Sequence, residues 1–290
     1  VNVQAAINAG LFVEFVYNNW NTASQATNLD GLPVVTSTGA PVIPGESYKV
    51  IKTIYANDLA TDISPNKSLQ GFVTIGIVAQ NVAVDADVFI AIRGTEGIWE
   101  WIQDAKFLPR TFPAVSGSGL TEDGFTDMYL SFSLTPSPST TFMKDVGALL
   151  ESDAMVTVAG HSLGAALATL FALDMTANLK FPVTTLYTLA SPRVGDLSFH
   201  NLFNHVVPNA YRIANRLDIV PKLPPPLLYF HVGDETELTP SKAMKFDLLC
   251  EHHLSSYLNM LATLIGQQNL YPIDADCLIA PPSAALLKEV

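Results

Sequence analysis

Apolar residues near the start of the chain recur at spacings of three and four: Ala6, Ala9, Phe12, Val13, Val16 and Trp20. That period predicts an amphipathic helix over 4–20. No basic residue lies on it, so it reads as a packing helix rather than a membrane anchor. Residues 21–47 are rich in Asn, Thr, Gly and Pro and predict a long irregular segment. From Tyr48 the pattern changes to β-rich runs. Tyr48–Ala56 alternates, Gly71–Gln80 contains FVTIGIVA, and Asp87–Ile92 is nearly all apolar. These predict three strands, the last two joined as a hairpin, so the sheet opens antiparallel and continues parallel, in an α/β arrangement.

The most informative stretch is Ala154–Leu173. A short apolar run, Ala154–Ala159, leads into Gly160-His161-Ser162-Leu163-Gly164, and small apolar residues then continue at helical spacing. Strand, sharp turn and helix form the context of a G-x-S-x-G nucleophile elbow. The glycines at 160 and 164 relieve the Cβ clashes of so tight a turn. Ser162 then stands at the C-terminal edge of a sheet, above a helix N-terminus whose N–H groups and dipole suit a developing oxyanion.

The 290 residues are 49% apolar, enough for a substantial core, and predict one domain over 1–290. The most apolar window is the elbow itself, where His161, Ser162 and Asp174 argue against a transmembrane span. The first residues carry neither Met nor a basic leader, and Glu14 interrupts their apolar run. A processed, secreted chain fits this, and a trimmed one looks the same. A net charge of −12 disfavours nucleic acid and anionic membrane surfaces as partners and suits a neutral ester. Two cysteines, Cys250 and Cys277, with no C-x-x-C, exclude a zinc ribbon or redox motif. One disulfide closing a C-terminal loop and two buried thiols remain equally open.

A second motif follows the strand at 87–92: Ile92-Arg93-Gly94-Thr95, then Glu100-Trp101-Ile102-Gln103-Asp104. With Gly124-Phe125 and Tyr129, the elbow, Leu186–Asp196 and Asn215–Pro221, it resembles the class 3, fungal-type lipases of the α/β-hydrolase fold. The resemblance covers about 48–262 and leaves out the N-terminal helix and the tail 265–290. It implies a mostly parallel central sheet flanked by helices, and a lipid ester substrate such as triacylglycerol, met at a lipid–water interface. It also implies a lid over Gly97–Phe107 with Trp99 and Trp101 against substrate. Short-chain, aryl or feruloyl esterases and phospholipases occur in the same family, so the fold does not choose among them. Ala165 and Asp196 depart from the family pattern, and Asp196 reads as a loop residue without a role.

Acyl transfer by a serine needs a base, an acid to orient it, and oxyanion donors, in the chain order Ser, acid, His. Asp218, on a predicted strand Ile213–Val220 stopped by Pro221, is the candidate acid. Of six histidines, His161 points away within the elbow, His200 and His205 lie in a polar helix and face solvent, and His231 follows a predicted strand Leu227–Val232. His252 and His253 remain. His252-His253-Leu254-Ser255-Ser256-Tyr257 fits the family's His-x-Leu-x-x-Tyr with His252 as base, and a His directly before Leu-Ser would favour His253. The Thr95 and Leu163 backbone N–H groups are the candidate oxyanion donors. Pro221–Leu228 with Tyr229 and Phe230 is a candidate acyl-groove wall. This chemistry requires no metal or organic cofactor. The alternative from another class is a non-catalytic α/β-hydrolase relative that binds without turnover.

Overall fold

The computed structural model describes residues 1–20, 26–57, 71–95, 106–179, 181–240, 242 and 244–279. Helix α1, Val3–Asn19, is capped by Asn2, whose side chain accepts the Ala5 N–H, and buries Phe12, Val13 and Val16. Strands β1 (Tyr48–Asn57), β2 (Phe72–Asn81) and β3 (Asp87–Ile92) pair antiparallel in that order. A ribbon of β4 (Pro109–Thr111) and β5 (Leu120–Glu122) leads into helices α2 (Asp123–Leu130) and α3 (Phe142–Gly147). Then come β6 (Met155–His161), α4 (Leu163–Asp174), β7 (Val183–Leu189), α5 (Leu197–Val206), β8 (Ala210–Asn215) and β9 (Asp234–Leu238). Helices α6 (Leu248–His252) and α7 (Leu254–Leu264) complete the named elements.

Seven strands form one sheet in the order β1-β2-β3-β6-β7-β8-β9, parallel from β3 onward. Alternate residues feed opposite faces, as the pleat requires. In β3, Val88, Ile90 and Ile92 join the core beneath α2–α5, while Phe89 and Ala91 join the core beneath α1 and α7. Helix α4 is buried along its whole length, so its alanines let it approach the sheet closely. Its one charged residue, Asp174, accepts from Tyr129 Oη and Asn178 Nδ2, both at 2.6 Å. Burial raises the Asp174 carboxyl above the usual carboxylate range.

Two predicted strands are corrected. The segment Ile213–Val220 is strand only to Asn215. There the Asn215 carbonyl accepts the Asp218 N–H (3.1 Å) and its side chain accepts the Leu217 N–H (3.2 Å), which turns the chain out of the ladder. Leu227–Val232 is not a strand. The prolines before it lack N–H donors, and pairing is confined to a bridge between Phe230 and Gly195. The sheet's last strand is the polar β9 instead, whose Glu235 pairs with Arg212. His200 is half-buried rather than solvent-facing, its Nδ1 against the His231 carbonyl, whereas His205 is exposed. Asp196 has a role after all: it caps α5, accepting the Phe199 N–H at 2.9 Å. The open cysteine question resolves as a Cys250–Cys277 disulfide with a Cα–Cα distance of 5.2 Å.

Candidate active site

The site lies at the C-terminal ends of β3, β6 and β8, where open α/β sheets place their ligands. Pairing of Ile92 with Gly160 and of Leu189 with His161 brings the chain after β3 beside Ser162. Ser162 occupies the turn with φ +59° and is almost fully buried. A non-glycine residue at positive φ is strained and persists only where its surroundings over-determine it. Here they do. A Cβ on Gly160 would sit 2.2 Å from the Gly164 carbonyl oxygen, and one on Gly164 would sit 2.4 Å from the Ile92 and Arg93 carbonyl oxygens.

His252, at the end of α6, reaches Ser162 from the far side of the chain. Its Nε2 is 2.8 Å from Ser162 Oγ and its Nδ1 2.8 Å from Asp218 Oδ2. An ionised carboxylate only accepts, so Nδ1 carries the proton and Nε2 is left to accept from the serine hydroxyl. Asp218 is fully enclosed and its acceptors are used. Oδ1 takes the Val220 N–H at 2.9 Å, and Oδ2 also takes the Tyr257 hydroxyl proton at 2.8 Å. Tyr257 Oη in turn accepts the Asn215 N–H at 2.9 Å. Burial, then the nearby Asp218 charge, raises the Tyr257 phenol well above its ordinary range, keeping it a donor. Asn215 Nδ2 donates to the Glu251 carbonyl (2.8 Å) and carboxylate (2.7 Å), tying the residue before His252 to β8. His253 points elsewhere. It is exposed, and its ring caps α7 through Ser255.

The Arg93-Gly94-Thr95 turn is fixed from several sides. Arg93 is buried. Its Nε donates to the Thr74 carbonyl (2.8 Å), Nη1 donates to the Gly94 carbonyl (2.7 Å), and its guanidinium lies over the Trp20 ring at 3.7 Å. A Cβ on Gly94 would come within 2.9 Å of Ser162 Cβ, so only glycine lets this turn pass the elbow. Thr95 and Leu163 therefore flank Ser162, and Leu163, first residue of α4, presents an N–H that no intrahelical carbonyl accepts.

His161, which the sequence left without a partner, joins these parts. The Gly94 N–H donates to Tyr17 Oη (2.7 Å), Tyr17 Oη is 3.0 Å from His161 Nδ1, and His161 Nε2 is 2.9 Å from the His252 carbonyl oxygen. The directions are consistent for a neutral ring protonated on Nε2. Burial, then the proximity of His252, pushes the His161 pKa well below its ordinary value. Tyr17, Asn215, Glu251 and Tyr257 were not assigned roles from sequence. Two of them had a signal: Tyr257 as the last residue of the His-x-Leu-x-x-Tyr string, and Asn215 as the first of the Asn215–Pro221 motif.

A cavity of about 480 Å³ opens beside this machinery, bordered by Thr95, His161 and His252. Trp99, Trp101 and all but the last two residues of the expected lid lie outside the described residues. Of the expected acyl-groove wall, Tyr229 is buried with its hydroxyl donating to the Phe107 carbonyl (2.8 Å), while Leu227 and Leu228 are exposed.

The family model for class 3 lipases matches residues 89–228, the span from β3 past Asp218. The chain is 31% identical over 281 residues to phospholipase A1-IIγ of Arabidopsis thaliana, covering 80% of this chain and 66% of that protein. It is 34% identical over 204 residues to a lipase of Rhizomucor miehei, covering 68% of this chain and 53% of that one. The structure superposes on the native Rhizomucor miehei lipase–propeptide complex with a TM-score of 0.57 and 26% identity, over 80% of this chain and 66% of that one. The chain thus spans 53–66% of the length of these curated relatives. The fold is the α/β-hydrolase fold, with its parallel sheet extended by antiparallel strands on the N-terminal side. Among the described residues no helix is long and apolar enough to cross a membrane.

Proposed function

The chain belongs to the class 3 lipase family, and on that premise we propose that it is a serine hydrolase of carboxylic esters, acting on acylglycerols through an acyl-enzyme. The observation that carries this reading is the unbroken hydrogen-bond line from Ser162 Oγ through the His252 imidazole to Asp218, at 2.8 Å in each step. His252 Nε2 takes the Ser162 proton as Oγ attacks the ester carbonyl. Asp218 holds the tautomer and balances the imidazolium that forms. The oxyanion rests on the Leu163 and Thr95 N–H groups. The C–O bond to the alcohol breaks, and the alcohol leaves with the proton from Nε2. Water, deprotonated by the same nitrogen, then attacks the acyl-enzyme, and the acid leaves as Ser162 is reprotonated. The buried positions of Ser162, Asp218 and His252 strengthen each of these charge interactions.

In this reading residues 1–290 act as one domain, with α1 supplying Tyr17 to the site. The Cys250–Cys277 disulfide supports an oxidising, extracellular setting. The test is hydrolysis of 4-nitrophenyl esters from two to sixteen carbons by the wild-type protein and Ser162→Ala. Activity should peak at medium or long chains and fall by at least about 10⁴-fold in the variant. A peak at two to four carbons would instead point to a short-chain esterase. Equal activity in both proteins would overturn the mechanism, and an organophosphonate that fails to label Ser162 would favour a binding module.

A further inference from the structure

One carboxylate near the triad has no part in the mechanism above. Glu251, the residue before His252 on α6, is only 3% exposed. Its Oε2 accepts from Asn215 Nδ2 at 2.7 Å, and its backbone carbonyl accepts from the same nitrogen at 2.8 Å. No Lys, Arg or His forms an ion pair with it among the described residues. A buried charge with no cation in contact is costly. A glutamine would accept the same Asn215 hydrogen bond on its amide oxygen without that cost. The hydrogen bonds therefore account for a polar residue at 251 and leave its charge unexplained.

The surroundings show where that charge acts. Asn215 carries both carboxylates of the site. Its carbonyl accepts the Asp218 N–H at 3.1 Å, and its own N–H donates to the Tyr257 hydroxyl that in turn donates to Asp218. Its side-chain amide holds Glu251. Burial raises the Glu251 carboxyl above its ordinary range. The Asn215 hydrogen bond opposes that rise, Asp218 and Asp247 add to it, and Lys222 opposes it. Asp247 caps the same helix, Asp218 and Lys222 lie on the segment after β8, and α7 carries no charged residue. His252 and His253 are the titratable groups between the two helices. Glu251 and Asp218 thus repel one another in the resting site. When His252 takes the Ser162 proton, a positive charge forms against Asp218, within the field of both carboxylates.

We propose that Glu251 is a positioning residue whose charge, acting from behind Asp218, stabilises the imidazolium that His252 becomes. It touches neither substrate nor the reacting atoms, and it works through Asn215 and Asp218. The proposal rests on the ester-hydrolase reading and adds a second carboxylate to its charge system. The repulsion between the two carboxylates is relieved only while the cation exists. The gain therefore falls on the transition state and appears in kcat rather than in KM.

Glu251→Gln keeps the hydrogen-bond acceptor and deletes the charge, so it separates the two roles. At about pH 8 its kcat on a 4-nitrophenyl ester should fall about fivefold with KM unchanged, while its denaturant midpoint stays at or above that of the wild type. The gap should narrow as the pH falls through the raised Glu251 pKa, because the wild type then loses the same charge. A side chain that only ties α6 to β8 would give a kcat ratio flat in pH. The second readout needs no turnover: the His252 ring, followed by its imidazole NMR resonances, should take up its proton about half a pH unit lower in the variant than in the wild type. Equal kcat at about pH 8, a ratio constant down to about pH 5, or a His252 titration that does not move would overturn the proposal. A wild-type protein with no Ser162-dependent hydrolysis would overturn the ester-hydrolase reading instead, and the NMR titration would still decide the role of Glu251.

Discussion

Ser162 and His252, the proposed nucleophile and base, are held in opposite ways. Ser162 sits in an unbroken local unit: buried strand β6, a turn at positive φ, and helix α4 buried throughout. Its position follows from backbone clearances of 2.2–2.4 Å around two glycines. His252 sits at the end of a five-residue helix whose Leu248 and Leu249 are more than half exposed. Such a helix has too few turns to hold itself, even with Cys250, Glu251 and His252 buried. Its position comes from distant ties instead: the disulfide to Cys277, Asn215 on Glu251, and His161 beneath its carbonyl. A rigid nucleophile therefore meets a base suspended from the rest of the molecule. Damage to the first should be all-or-none, and damage to the second graded.

The largest effect should come from Gly160→Ala. The added methyl meets backbone that cannot move without opening the elbow, so stability should fall by about 4 kcal/mol or more, read as failure to express folded protein or as a collapsed denaturant midpoint. Next, Cys250→Ser with Cys277→Ser releases a loop of 27 residues. Loop-closure entropy gives a loss of about 3.5 kcal/mol. Turnover in the surviving folded fraction should drop while organophosphonate still finds Ser162. If that fraction turned over normally, the suspended-base picture would fail. Asn215→Ala should cost about 1–3 kcal/mol by leaving the Glu251 side chain and carbonyl without their donor, with kcat lowered more than KM is raised.

The smallest effect joins the two regions and is one of pH. The folded-state pKa of His161 lies well below that of the unfolded chain. Above about pH 6.5 neither state protonates it and the folded arrangement is fully favoured. Below that, the unfolded chain takes up a proton the folded one refuses, so stability falls toward the folded pKa by at most about 1.4 kcal/mol per pH unit. His161→Asn should flatten the stability–pH curve between about pH 6.5 and 5 relative to the wild type. Parallel curves would mean that the His161 ring carries no such burden.

The same contrast explains what the sequence could express. The elbow and the antiparallel hairpin are written in local period and turn residues, and the structure places them within two residues of their expected bounds. Ser162, Asp218 and His252 were singled out from order and context, and the structure brings the three into one hydrogen-bonded line. Strand ends were misjudged where side chains intervened, as at Asn215, whose amide captures the backbone two residues on. Tyr17 was invisible because its partners, Gly94 and His161, lie 77 and 144 residues away and no local pattern marks the meeting. Glu14 was legible only as an interruption in an apolar face.

The order of the parts along the chain has a consequence for biosynthesis. Ser162 precedes His252 by 90 residues. At ordinary elongation speeds the elbow leaves the ribosome roughly 5 to 20 s before the base. Helix α1 packs against α7, and the loop that steadies His252 closes only when Cys277 has emerged. During that interval the nascent chain carries a nucleophile with nothing to deprotonate it. On the proposed mechanism, competence against esters is thereby deferred until Cys277 has emerged.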